Sequence, residues 1–377
     1  MKKFNIATLM LASALVLSSC SNTNEKEADN KAETEVSQEA ETETKDDANK
    51  EETKDEAKEV TKEEVKSTDA ETAEGNVLLH RGYPRSEGAR SFPRIVVATS
   101  GDKIVGVSLD EYQYDSADNG YVAVNNSDKG FGEGTAEGKI LMSKMVNEEK
   151  YSAAMKEAGS ETSLKETYEG IANFVKGKTI EELEAFLKDN SEDEIIEAVS
   201  GATFKATPSL IDQIIEVAKD DQFVSVGHAE NPEDITFKAI VGAPHGEKSF
   251  ADAVVAMEGD KIVAASFDEY QYIEDAVGLT NPEDSFTDGY AEENKVLASK
   301  LENNDSYSAK MTEKAGSKVS IKDNFEAIEN FVSGKTVEEI KEAIDSKKED
   351  GTIDAVTGAT LKDTANYLQL IVDAMSL

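Results

Sequence analysis

From residue 75 onward the apolar and polar positions fall into two rhythms, and the same succession of rhythms occurs twice. Residues 94–100 and 103–112 are rich in β-formers, and Ser100-Gly101-Asp102 between them has hairpin chemistry. Residues 251–257 and 261–270 repeat this around Glu258-Gly259-Asp260. Helical spacing follows in both places. Thr179-Ile180-Glu181-Glu182 and Thr336-Val337-Glu338-Glu339 have capping-box spacing, and Gly177 and Gly334 stand where a preceding helix would close. Each copy ends in an apolar helix, 209–217 and 365–375, expected to pack on the sheet. Thr207 is expected to be the N-cap of the first of these, with Pro208 as its first helical residue. Strands first and helices after predict an α+β fold of two tandem repeats, each an antiparallel sheet packed with helices, rather than a doubly wound parallel sheet.

The repeat can be read residue against residue. Gly101-Asp102-Lys103-Ile104-Val105 and Asp110-Glu111-Tyr112-Gln113-Tyr114 match Gly259-Asp260-Lys261-Ile262-Val263 and Asp268-Glu269-Tyr270-Gln271-Tyr272. Asn173-Phe174-Val175 matches Asn330-Phe331-Val332 with almost no gap between. Two domains are therefore expected, 75–222 and 223–377, a division that suits a chain of 377 residues.

What precedes residue 75 is different in kind. Residues 21–74 hold 20 Asp/Glu and 8 Lys, with no aromatic, Gly or Pro. Nothing there can bury surface to offset the entropy of ordering, so 20–74 reads as a charged tether reaching roughly 40 Å or more. Lys2 and Lys3, the apolar run 6–17 and Leu17-Ser18-Ser19-Cys20 have the layout of a signal peptide over 1–19. The run is too short to span a bilayer, which needs about 20 apolar residues. The chain's one cysteine has no disulfide partner within the chain and stands after two small residues. This resembles the lipobox of bacterial lipoproteins. The resemblance implies that Cys20 is acylated, becomes the new N-terminus and anchors the protein to the outer face of the cell membrane.

Just ahead of each terminal helix stands a run of small residues with a hydroxyl at each end. It is Glu197-Ala198-Val199-Ser200-Gly201-Ala202-Thr203 in the first copy and Asp354-Ala355-Val356-Thr357-Gly358-Ala359-Thr360 in the second. A tight turn of this kind, leading to a helix N-terminus, favours close approach of an anion. The run is similar to the Asp-x-x-(Ser/Thr)-Gly-Ala-Thr motif of FMN-binding domains, as in the peripheral subunits of Rnf- and Nqr-type redox pumps. The resemblance implies that a Mg²⁺-dependent transferase joins FMN, taken from FAD, to Thr203 and Thr360 through phosphodiesters. Ser200, Gly201 and Ala202, with Thr357, Gly358 and Ala359, would shape the turns. Asp354 matches the leading acid, and Glu197 departs from it by one methylene. It further implies an electron carrier rather than an enzyme with its own substrate, one that takes electrons from a membrane quinone-linked donor and passes them to an external acceptor such as ferric iron. A ligand-binding or adhesive surface lipoprotein without flavin is the alternative. A flavin reductase is a third reading, disfavoured because no nicotinamide fingerprint is visible.

Other features change the picture less. Tyr112 with Tyr114, and Tyr270 with Tyr272, share a sheet face by their spacing and fit either a flavin ring or an ordinary core. Arg81, Arg85, Arg90 and Arg94 are the only arginines; a solvated loop is the simpler reading, and a docking patch for an acidic partner the other. His80, His228 and His245 show no metal-ligand spacing. A net charge of −38 argues against nucleic acid as a partner.

Overall fold

A computed structural model describes residues 75–199 and 204–377. The leader, Cys20 and the acidic segment thus lie outside the described residues, as do Ser200, Gly201, Ala202 and Thr203. In the first half β1 (Asn76–Gly82), β2 (Ser91–Ser100), β3 (Lys103–Ser116) and β4 (Lys139–Ser143) precede α1 (Glu148–Glu157), α2 (Leu164–Val175), α3 (Ile180–Asp189), α4 (Glu192–Ala198) and α5 (Thr207–Ala218). The second half begins with β5 (Val224–His228). It continues through β6 (Thr236–Gly242), β7 (Ser249–Glu258), β8 (Lys261–Glu274) and β9 (Lys295–Ser299) to α6 (Asn304–Ala315), α7 (Ile321–Val332), α8 (Val337–Asp345) and α9 (Thr364–Met375). The α+β class and the antiparallel pairing are as the sequence predicts. The two sheets run β4-β3-β2-β1-β5 and β6-β7-β8-β9.

Local chemistry accounts for these elements. Gly101 and Gly259 take positive φ of 59° and 64° and turn the two long hairpins. A register shift at Ala98/Thr99 recurs at Ala256/Met257, the matching place in the repeat. Thr179 and Thr336 cap α3 and α8 through complete capping boxes with Glu182 and Glu339, a contribution of about 1 kcal/mol each. The expected cap on α5 is not found. Ala206 is the N-cap, and Thr207 is already helical, its hydroxyl turned back to the Phe204 carbonyl at 2.6 Å. Thr364 makes the same bond to Leu361 in the second half.

The halves are two inner sheets packed face to face, with helices on each outer face. In β2, Ile95 and Val97 point to α2, α3 and α5, while Val96 and Ala98 point to the other sheet. Both faces are thus covered, so the strands read as almost unbroken apolar runs. Between the sheets lies an aromatic layer drawn from both halves, including Phe92, Tyr112, Phe131, Phe250, Tyr270 and Phe286. Strand β5 belongs by sequence to the second half, yet it pairs with β1 of the first sheet. Its Gly227 runs so close to β8 that a Cβ there would stand 2.0 Å from the Val263 carbonyl oxygen.

Two of the four arginines overturn the solvated-loop expectation. Arg81 and Arg94 are buried at the centre of the molecule against Asp252 of the other half. The Arg81 guanidinium donates to Asp252 Oδ1, to the Ser266 hydroxyl at 2.9 Å and to the Ser266 carbonyl at 2.8 Å. Arg94 Nη1 donates to Ser108 Oγ at 2.8 Å, and its Nε stands 3.0 Å from Asp252 Oδ1 as an ion pair without hydrogen-bond alignment. The Tyr112 hydroxyl donates to Asp252 Oδ2 at 2.8 Å. Arg94 and Asp252 occupy the same place in the repeat, in β2 and β7. Burial pushes Asp110 and Asp268, beside this cluster, up to about 6.

Candidate functional site

The second motif copy is held by a frame that begins in the core. Val356 is buried, and the chain from Ile353 to Ala359 folds in successive tight turns. Gly358 has φ +99°, and a Cβ there would come within 3.3 Å of the Ala327 side chain, so this position suits only glycine. Thr357 is exposed and Ala359 half-buried. Thr360 is exposed, four residues ahead of the first residue of α9.

Asn324 fixes it there. This residue, fully buried in α7, accepts from the Thr360 backbone N–H at 2.6 Å and from its hydroxyl at 3.2 Å. The Asn324 amide group donates in turn to the Ser320 carbonyl at 2.7 Å. With its proton directed at Asn324, the Thr360 oxygen keeps its lone pairs free. The sequence reading missed Asn324, although a signal exists: it is a polar residue on the apolar stripe of Ile321, Phe325, Ile328 and Val332.

Thr360 stands on the rim of a cleft of about 960 Å³. That is near the upper end of the range for small-molecule sites. Its apolar lining is Tyr272, Ile273, Tyr307, Met311, Val319 and Leu361. Five lysines also line it: Lys295, Lys310, Lys314, Lys318 and Lys362. Against these stand Glu274, and Asp363, whose Oδ2 is 2.7 Å from His245 Nδ1. Lys295 pairs with Glu292 and lies 3.9 Å from Glu274. The other four lysines have no carboxylate within ion-pair distance among the described residues. An anion therefore meets an excess of positive charge here, in a chain that is otherwise strongly acidic.

The remaining predicted residues fall as follows. Asp354 is exposed and its carboxylate is paired with Lys348. Glu197 is exposed in the last turn of α4, a helix with no counterpart in the second half. Tyr112 and Tyr270 belong to the layer between the sheets. Tyr114 and Tyr272 share a hydroxyl–hydroxyl hydrogen bond across the halves, and Tyr272 also lines the cleft. His80 is buried and bonded to the Thr99 hydroxyl at 3.0 Å. Among the described residues there is no cluster suited to a metal ion, and no helix is long and apolar enough to cross a membrane.

Comparison with family models, with curated proteins and with solved structures finds no match to this chain.

Proposed function

We propose that this chain is a lipid-anchored extracellular electron carrier with two tandem FMN-binding domains, bearing FMN covalently on Thr360 and Thr203. The observation that carries the reading is the exposed, oriented hydroxyl of Thr360 on a cleft lined by both apolar side chains and lysines without carboxylate partners. Such a cleft fits a planar aromatic ring joined to a phosphate. Tyr307, Met311 and Leu361 would hold the ring, and the lysines would hold the phosphate. When bound, the flavin supplies the redox chemistry and the protein supplies attachment and electrostatics.

In the attachment step the Thr360 oxygen forms a bond to the FMN phosphorus of FAD. The bond from that phosphorus to the bridging pyrophosphate oxygen breaks, AMP leaves, and the hydroxyl proton passes to solvent. Asn324 orients the hydroxyl but, as a neutral amide, is not the base. A covalent link suits a carrier outside the cell, where a released cofactor would be lost. Acylation of Cys20 would tie the carrier to the bilayer, where its quinone-linked donor resides.

Intact mass of protein made together with an FMN transferase tests this. Thr360→Ala and Thr203→Ala should each remove the mass of one FMN less water, and the double variant should be colourless but folded. Colourless wild-type protein, or flavin-peptide recovered from another residue, would overturn the assignment and favour a surface lipoprotein without flavin. For the anchor, Cys20→Ala should leave the precursor uncleaved and unlipidated.

A further inference from the structure

Three of the cleft lysines, Lys310, Lys314 and Lys318, lie on the last turns of α6 and just beyond it. Lys310 is half-buried and reaches only the Glu274 carbonyl, at 3.5 Å; Lys314 and Lys318 are exposed. Three unpaired cations along one wall repel one another, and an anion in the cleft relieves that repulsion. The matching wall of the first half is different. Tyr151, Met155 and Gly159 align with Tyr307, Met311 and Gly316. Ala154 then stands opposite Lys310, nothing stands opposite Lys314, and Glu161 stands opposite Lys318. Over the matched stretches 151–161 and 307–318 the charge goes from −1, with Lys156, Glu157 and Glu161, to +2, with Lys310, Glu313, Lys314 and Lys318.

A flavin that accepts two electrons and one proton gains one negative charge. Nearby cations lower the energy of that reduced form more than of the oxidised one. We propose that Lys310, Lys314 and Lys318 raise the reduction potential of the flavin on Thr360, making the second half the preferred resting place for electrons. The donor is of the quinol class: it yields two electrons and two protons in becoming a quinone, the flavin keeps both electrons and one proton, and the second proton goes to solvent. This rests on the flavin reading above and adds to it a direction for the electrons.

The test uses full-length Thr203→Ala protein, whose flavin is then confined to Thr360, with and without Lys310→Gln, Lys314→Gln and Lys318→Gln together. Flavin-peptide mass confirms loading, and dye-equilibrated reductive titration followed by flavin absorbance reads the potential. The triple substitution should shift the reduction equilibrium at least tenfold toward the oxidised form, about 30 mV more negative for a two-electron couple. In 1 M salt, where screening acts over about 3 Å, the parent should fall toward the variant while the variant moves little. Equal potentials in two proteins that both carry flavin on Thr360 would overturn the proposal, even if the variant loads more slowly, since the lysines would then serve attachment alone. Absence of flavin from Thr360 in the parent would instead bring down the flavin reading itself, and this proposal with it.

Discussion

Asn324 in α7 and Thr167 in α2 hold the same place in the two halves, both are fully buried, and they do different things. Asn324 reaches out of its helix to hold the backbone and hydroxyl of Thr360. Thr167 has a shorter side chain, and its hydroxyl turns back to the Ser163 carbonyl at 2.9 Å. The same contrast recurs elsewhere. Buried Glu329 stands where the first half has half-buried Ala172, and Asp252 where it has Arg94. The apolar frame, the hairpins and the capping boxes of α3 and α8 repeat, as do buried polar sets such as Ser143–Asp110 with Ser299–Asp268 and Lys144–Glu111 with Lys300–Glu269; Asn324, Glu329 and Asp252 are where the buried polar groups part.

The largest effect is expected where the halves differ most usefully, at Asp252. This carboxylate answers two buried arginines of the other half. Removing one partner of a buried ionic cluster leaves an uncompensated charge, which typically costs about 3–5 kcal/mol. Asp252→Ala should therefore lower the urea midpoint by a corresponding amount or leave the halves undocked. A loss below about 1 kcal/mol would mean that the aromatic layer alone joins them, and that the Arg94–Asp252 difference is incidental.

Glu329 sharpens the comparison through pH. It accepts from the Phe267 backbone N–H and the Ser225 hydroxyl, both at 3.0 Å, and burial pushes it up to about 8. Its folded value lies above its unfolded one, so between about pH 4.5 and 8 the native state holds one more proton. Stability from this group then falls as pH rises, by about 1.4 kcal/mol per pH unit in that window. Glu329→Gln keeps the acceptor for Phe267 and should flatten the slope between about pH 7 and 8, where Asp110 and Asp268 have largely titrated. An unchanged slope would show that Glu329 is ionised in the folded protein.

These cases also show what the sequence discloses. The hairpin at Gly101 and the Thr179 capping box are written within a few neighbouring residues, so they were legible. The place of Thr360 just ahead of the last helix was legible too, because the small-residue turn and the apolar helix adjoin in sequence. Burial of Arg81 was not, because its partner lies 171 residues away and exists only once the sheets face each other. The lysines of α6 are visible as residues, but their lack of carboxylate partners is a property of the folded surface. Thr207 was misplaced by one residue because Pro208 fits the second helical position as well as the first.

A smaller effect should follow from making the second half resemble the first. Asn324→Thr withdraws the acceptor from both the backbone and the hydroxyl of Thr360. At about 0.5–1.5 kcal/mol per hydrogen bond, the variant should lose about 1–2 kcal/mol and load flavin roughly tenfold more slowly under limiting transferase. Thr167→Asn is the converse in the first half. If Asn324→Thr loads at the wild-type rate, the hydroxyl's orientation is set by the transferase and not by α7.

The finest distinction lies in the leading acids of the two motif copies. An acid near the acceptor can orient the hydroxyl or the transferase's metal only over a short reach, and errors of about 1 Å in such geometry can cost on the order of a hundredfold. Asp354, however, has a side chain 79% exposed and paired with Lys348, while the Thr360 hydroxyl is bonded to Asn324. On the flavin reading proposed above, its contribution would come through the incoming transferase, whose own motion can absorb a methylene. Asp354→Glu should slow loading of Thr360 by only a few-fold, less than Asn324→Thr does, and Glu197→Asp should speed Thr203 to a similar small extent. Peptide mass spectrometry over a time course reads both sites in one sample. Rates unmoved by either exchange would make the acid a bystander and leave Asn324 and the lysines as the differences that bear on loading.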